Sequence, residues 1–126
     1  MDGKTDMKLE VIPIGVSDVE RAIAFYTDKF GFHADVDQPM GDKRYVQLTP
    51  PGSACSISFG VGITETKPGA IDGLLLAVED IQAVYKALTD KGVEVSEPKT
   101  EAWGSTHSYL SDPDGNRWTL QQKPAR

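Results

Sequence analysis

Apolar residues recur at helical spacing in two separate stretches of the chain, one after Asp18 and one after Asp80. Each series places its apolar side chains on one stripe of a helix. The acidic residue before each stretch can accept hydrogen bonds from the free amides of a first helical turn, and the glycine that ends it, Gly31 or Gly92, suits a left-handed cap. The pattern therefore predicts helices over residues 18–31 and 80–92. Their apolar positions are Val19, Ala22, Ile23, Tyr26 and Phe30, and Ile81, Val84, Tyr85 and Leu88.

Around these helices, apolar and polar residues alternate with a period of two, which is typical of strands that bury one face. Turns rich in proline and glycine separate the alternating segments. The predicted strands cover residues 9–16, 32–37, 43–49 and 54–60 around the first helix, and residues 73–78, 93–97, 105–111 and 117–122 around the second.

The two halves of the chain repeat each other. The sequence VSDV at residues 16–19 is echoed by VEDI at residues 78–81, so the two helix-opening acids lie 62 positions apart (80 minus 18). Each half has a strand, a helix and then three strands. We expect one domain over residues 1–126, with a first module over about 8–60, a linker over 61–70 and a second module over about 71–122.

A helix on one face of a short sheet leaves the opposite face uncovered. The sequence therefore predicts an α+β fold of two tandem βαβββ modules whose curved mixed sheets form a cleft. The polar and small side chains that alternate with the core positions are expected to line that cleft.

Composition narrows the class of partner. The net charge of -6 and the dispersed lysines and arginines disfavour a nucleic acid, because phosphate binding needs a basic face. No apolar run is long enough to span a bilayer, and residues 1–6 are polar and acidic, unlike a signal peptide. The single cysteine, Cys55, cannot form an intramolecular disulfide. We expect a cytoplasmic protein that binds neither membranes nor nucleic acids.

Five short motifs together resemble the vicinal oxygen chelate superfamily, which includes glyoxalases, extradiol dioxygenases and bleomycin-resistance proteins. The resemblance implies the glyoxalase/bleomycin-resistance fold and a homodimer, in which the modules pair either within one chain or between two chains. The motifs are residues 16–22 (VSDVERA), 25–26 (FY), 30–32 (FGF), 78–81 (VEDI) and 112–116 (DPDGN).

The last motif contains two carboxylates, Asp112 and Asp114, which could act as an acid–base pair. Proline, glycine and asparagine in the same motif favour a tight turn as the explanation.

In superfamily members that do metal chemistry, a histidine on the first strand and a carboxylate on the last strand of each module converge on one divalent ion. The resemblance places the two histidine positions at Val11 and Gly73. It places the carboxylate positions at Thr119 and among residues 56–58. Apolar and hydroxyl side chains are poor ligands for a catalytic divalent ion. We therefore expect a member with no metal site and no cofactor.

Candidate ligand-binding residues are those that alternation places opposite the core, together with an aromatic residue in a loop bounded by glycine and proline. Hydroxyls, amides and one cation suit a neutral or weakly anionic organic molecule. The loop tryptophan can stack on a planar ligand as a wall or lid, or simply pack on its loop. The set is Tyr45, Gln47, Ser56, Ser58, Trp103, His107, Tyr109, Arg117 and Thr119.

Three hypotheses follow for function. The first is metal-independent binding of a small aromatic molecule, resembling drug-sequestering proteins that give antibiotic resistance. The alternative is a glyoxalase-like enzyme, a lyase, isomerase or dioxygenase, that acts on a small carbonyl or hydroxy compound. In such an enzyme, His107 or Tyr109 would be the acid–base group, or a metal ion would bind at positions other than those that the resemblance implies. A third hypothesis is a sheet that mainly mediates association. The sequence leaves open whether the protein is an enzyme.

Overall fold

A computed structural model of the chain describes residues 3–124. Within these residues the first module contains β1 (Val11–Pro13), α1 (Val19–Ala24) continued by a π-helical turn (Phe25–Lys29), β2 (His33–Met40), β3 (Lys43–Thr49) and β4 (Ser56–Val61). The second contains β5 (Asp72–Ala77), α2 (Ile81–Asp90), β6 (Lys99–Thr100), β7 (Thr106–Ser111) and β8 (Arg117–Gln122).

Each module forms its own four-stranded mixed sheet. The strand orders are β1-β4-β3-β2 and β5-β8-β7-β6. The β1–β4 and β5–β8 pairs are parallel, and the remaining pairs are antiparallel. The predicted α+β fold of two tandem βαβββ modules is confirmed. No helix among residues 3–124 is long and apolar enough to cross a membrane.

The predicted helix starts are confirmed by their caps. The Arg21 amide donates to Asp18 Oδ1 at 3.0 Å, and the Ala83 amide donates to Asp80 Oδ1 at 3.1 Å. Each carboxylate thus satisfies an amide that lacks a partner within its own helix.

The first helix differs from the regular helix that apolar spacing predicts. The Phe30 amide donates to the Phe25 carbonyl five residues back, at 3.0 Å, which forms the π-helical turn. The segment from Asp18 to Gly31 is one residue longer than its repeat in the second module, and a π-turn accommodates one extra residue. The two segments can therefore end alike, at glycines with φ near +80° (79° at Gly31 and 81° at Gly92).

The predicted strand over residues 93–97 is wrong. The Ser96 amide donates to the Tyr109 carbonyl at 3.0 Å, but the Tyr109 amide donates at 2.8 Å to the Ser96 hydroxyl instead of a backbone carbonyl. A side-chain acceptor thus interrupts the ladder, and Pro98 has no amide to continue it. Strand pairing begins only at Lys99–Thr100. The first strand is also shorter than predicted and ends at Pro13, which lacks a donor.

One apolar core lies between the two sheets. The Tyr26 ring, at the end of the first helix, lies 6.1 Å from the Phe59 ring on β4 and 5.9 Å from the Trp118 ring on β8 (centroid distances). Since the core-facing sides of both sheets meet here, their polar faces point away from each other, on opposite sides of the chain. This arrangement decides where a ligand can bind.

Residues 112–116 form the predicted turn and also join the modules. The Tyr26 hydroxyl donates to Asp112 Oδ2 at 2.8 Å, and Asn116 Nδ2 donates to the Gly15 carbonyl at 2.8 Å. The Ser17 hydroxyl donates to Asp114 Oδ1 at 2.5 Å. Both carboxylates therefore accept hydrogen bonds from the first module, as expected for structural groups.

Candidate functional site

The first polar face is the side of the first sheet that points away from the core. Ser56 and Ser58 on β4 lie at its centre and are only 6% and 3% exposed. Gln47 on β3 lies beside Ser58 in the strand register, and its Oε1 accepts a hydrogen bond from the Tyr45 hydroxyl at 2.8 Å. Four of the residues proposed from sequence thus share this face.

A β-bulge adds a carboxylate to the first polar face that sequence reasoning missed. The register of β2 against β3 shifts between Ala34 and Val36, leaving Asp35 as the inserted residue. The Thr49 hydroxyl donates to Asp35 Oδ2, and it lies 2.6 Å from the Ser56 hydroxyl. We call Asp35, Thr49 and Ser56 the acceptor cluster.

The second polar face carries a row of aromatic rings. The Trp103 and His107 ring centroids are 6.1 Å apart, and those of His107 and Tyr109 are 6.3 Å apart with planes 23° from parallel. Trp103 is 68% exposed and Tyr109 49% exposed. We call these three residues the aromatic row. The exposed rings of Trp103 and Tyr109 can stack on a planar molecule. Thr119 lies beside Tyr109 in the strand register.

A glutamine that was not among the predicted site residues orients His107. His107 Nε2 lies 2.9 Å from Gln121 Oε1, and the two residues are partners in the β7–β8 register. Because an amide oxygen only accepts, this contact assigns the proton to Nε2. With its proton on Nε2, the neutral imidazole keeps an acceptor lone pair on Nδ1. That atom is buried and has no hydrogen-bond partner among residues 3–124. Alternation already placed Gln121 on the polar face, so the signal was available in the sequence.

Arg117 lies at the edge of the second polar face. It begins β8, is 63% exposed at its side chain, and its Nε lies 3.6 Å from Asp72 Oδ1. The structure therefore does not bring Arg117 into the aromatic row. On the first sheet, His33 is similarly peripheral, with a side chain that is 80% exposed and lies 3.7 Å from Asp35.

The positions at which the superfamily holds a metal do not fit a divalent ion here. Val11 pairs with Ser56 on the first sheet, and Leu75 pairs with Thr119 on the second, where Gly73 falls at a register irregularity. Their side chains are apolar, absent or hydroxyl, which are poor metal ligands. Across the described residues 3–124, no three histidine, cysteine, aspartate or glutamate side chains converge in a possible metal group.

Two grooves lie beside the helices. One, of about 1160 Å³, lies between the first helix and residues 92–96, and the other, of about 930 Å³, lies between α2 and residues 50–53. The groove beside the first helix reaches Tyr109, but neither is enclosed by the two polar faces. Neither groove therefore forms a cleft between the two polar faces.

Two βαβββ modules with sheets packed back to back define a glyoxalase-type α+β protein. The family model described as Glyoxalase/Bleomycin resistance protein/Dioxygenase superfamily matches residues 8–120. The chain belongs to this superfamily, and the resemblance predicted from its motifs is confirmed.

Similar proteins include two from a Streptomyces and one from Bacillus subtilis. The structure resembles the crystal structure of TnmS3, an antibiotic binding protein from Streptomyces sp. CB03234, with a TM-score of 0.86, 34% identity, and coverage of 96% of this chain and 98% of that chain. It also resembles a glyoxalase/bleomycin resistance protein from the same Streptomyces, with a TM-score of 0.81, 35% identity, and coverage of 91% and 100%. The uncharacterized protein YurT of Bacillus subtilis is 30% identical, over 93% of this chain and all of YurT. The family and these neighbours indicate small-molecule binding or glyoxalase-like activity.

Proposed function

We propose that the protein binds a small aromatic molecule without a metal ion. The aromatic row carries this proposal, because it presents the exposed Trp103 and Tyr109 rings on an open polar face. Positions that would hold a metal carry poor ligands, so binding would depend on stacking and hydrogen bonds. The likeness to the antibiotic-binding TnmS3 supports a drug-sequestering role.

A second copy of the chain would complete the binding site. The two polar faces of one chain point in opposite directions, so a cleft between a first and a second module requires modules from two chains. The strands β1 and β5 are edges of their sheets, and Leu75 on β5 is 52% exposed. Pairing with a second copy would cover such edges. In this homodimer, the acceptor cluster of one chain would face the aromatic row of the other.

Binding can be tested with a calorimetric screen of planar aromatic natural products, using dansylamide as a fluorescent probe. We expect saturable binding, weakened about threefold to tenfold by Trp103→Ala because one stacking surface is lost. Trp103→Phe should retain most of the affinity, since it keeps an aromatic ring. Met7→Ala is the control, because Met7 is a 95% exposed apolar residue in the segment before β1. A screen without any binding, and with unchanged tryptophan fluorescence, would contradict the proposal.

The buried Nδ1 of His107 favours one second candidate, a glyoxalase-like enzyme in which His107 or Tyr109 exchanges a proton with a small carbonyl or hydroxy compound. Gln121 fixes the tautomer that makes Nδ1 a potential base. His107→Ala should then abolish turnover while the melting temperature stays unchanged. Full activity of this variant would exclude His107 as the acid–base group.

A further inference from the structure

The β-bulge on β2 turns two neighbouring carboxylates to opposite faces of the first sheet. In a regular strand, Asp35 and Asp37 would share one face, since they are two residues apart. The extra residue at the bulge changes this alternation. Asp37 therefore lies on the helix side, where Arg44 binds both it and Glu20, whereas Asp35 reaches Thr49 on the polar face.

The two carboxylates differ in their charge partners. Arg44 donates to Asp37 through Nε at 2.9 Å and through Nη2 at 2.8 Å. Among residues 3–124, no lysine or arginine forms an ion pair with Asp35, and Nε2 of the exposed His33, a cation only when protonated, lies 3.7 Å from Asp35 Oδ1. The Asp35 side chain is only 31% exposed. A carboxylate that lacks a lysine or arginine partner can accept a charge-assisted hydrogen bond from a cationic group that reaches it.

The hydroxyl protons of the acceptor cluster are both donated within the cluster. The Thr49 hydroxyl gives its one proton to Asp35, so at 2.6 Å from Ser56 it must accept the Ser56 proton. The cluster then offers a carboxylate oxygen and hydroxyl lone pairs, but no donor. A group with several N–H donors and a positive charge complements such a surface, and an organic ammonium group has three donors.

We propose that Asp35, supported by Thr49 and Ser56, binds an ammonium group of the ligand. The ligand class is then an aromatic amine-bearing molecule, whose ring stacks on the aromatic row and whose amine reaches the acceptor cluster. This inference rests on the proposed function for the aromatic part. It differs from the neutral or weakly anionic ligand that alternation alone favours, because alternation does not reveal the bulge. The net charge of -6 would also attract a cationic ligand.

The test compares dansylcadaverine, which carries a primary ammonium group, with its neutral N-acetyl derivative. Wild-type protein should bind the ammonium probe at least about tenfold more tightly, as expected for a charge-assisted hydrogen bond. Asp35→Asn should remove this preference and leave binding of the acetylated probe unchanged. Asp37→Asn is the matched control, because its carboxylate lies on the same strand but on the opposite face, and the preference should persist.

Equal affinity of the wild-type protein for both probes would overturn the ammonium subsite without touching the proposed aromatic site. The ammonium subsite would also be overturned if Asp35→Asn changed the dissociation of the dimer and left probe binding unchanged. Asp35 would then pair with a cation of the second copy. If neither probe binds, the aromatic proposal fails for these molecules. The subsite is then tested alone by titrating n-hexylammonium and following amide NMR signals. Saturable shifts at Thr49 and Ser56 that disappear in Asp35→Asn support it, and their absence overturns it.

Discussion

At the scale of single residues, the Tyr26 hydroxyl is the polar centre of the contact between the modules. It donates to Asp112 Oδ2 at 2.8 Å and accepts from Trp118 Nε1 at 2.9 Å. The ring is fully buried, and burial next to the Asp112 charge raises the pKa of the Tyr26 phenol far above its usual value. Tyr26 therefore stays a neutral donor at any physiological pH.

Tyr26→Phe should destabilise the fold by about 2 kcal/mol, because it leaves the buried Trp118 N–H without a partner and removes one donor from Asp112. Urea unfolding measures this loss. Tyr85→Phe on the half-buried face of α2 is the control and should change stability by less than about 0.5 kcal/mol. Equal unfolding midpoints for wild type and Tyr26→Phe would show that the hydroxyl does not stabilise the contact between the modules.

The roles of some residues could be predicted from their neighbours in sequence, and the roles of others could not. Asp18 and Asp80 could be assigned as caps because a cap acts within one helical turn. The partner of Tyr26 lies 86 residues away, and no local pattern specifies such a contact. Asp35 was missed for a different reason, since a bulge depends on strand register and leaves no mark in the alternation of a polar edge strand.

At the scale of elements, Arg44 ties the β2–β3 hairpin to the first helix. It pairs with Asp37 on β2 at 2.8 Å and with Glu20 on α1 at 2.5 Å. Hydrogen bonds from Arg44 hold the pKa of Asp37 below its usual value, and the two carboxylates raise the pKa of Arg44. The Asp37 side chain is 44% exposed, so solvent and salt weaken the ion pair.

The lowered pKa of Asp37 gives stability a defined pH dependence. A carboxylate whose pKa is lower in the folded than in the unfolded chain stabilises the fold above its unfolded value of about 3.9, and this stabilisation is lost as pH falls through the folded value. Melting temperatures from about pH 5 down to about pH 2 should therefore fall less steeply in Asp37→Asn than in wild type. Asp42→Asn, in the turn of the same hairpin, is the control for the loss of one carboxylate charge. Parallel curves for wild type and Asp37→Asn would refute this role of the pair.

Element types were more predictable than element bounds. The strands over residues 43–49 and 117–122 match their predicted bounds, because clear alternation runs through each of them. The strand predicted over residues 93–97 fails because a serine hydroxyl takes the place of a carbonyl in the ladder. That substitution depends on the conformation of one side chain, which alternation does not describe.

At the scale of the whole molecule, both helices and one shared apolar core lie between the two sheets. Lys29 Nζ donates to the Lys91 carbonyl at 3.3 Å, and Lys91 Nζ donates to the Asp28 carbonyl at 2.7 Å, so the helix ends hold each other reciprocally. The repeat predicted two equivalent modules. The repeat could not predict that the two modules of one chain pack back to back. Pairing within one chain and pairing between two chains bury the same apolar stripes.

The measurement that tests the two-chain cleft most directly is a mixing experiment with two blocked variants. Gln47→Trp fills the centre of the first polar face, and Thr119→Trp fills the centre of the second. Each variant alone should fail to bind dansylcadaverine. If the cleft forms between chains, a mixed dimer contains one cleft with both blocks and one with neither.

Refolding an equal mixture of the two variants should restore binding, measured by calorimetric titration, to about a quarter of the wild-type capacity. Half of the dimers are then mixed, and each mixed dimer has one open cleft of two. Titrations of each variant refolded alone serve as controls. A mixture that binds no probe, although the wild-type protein binds it, would contradict a cleft built from two chains.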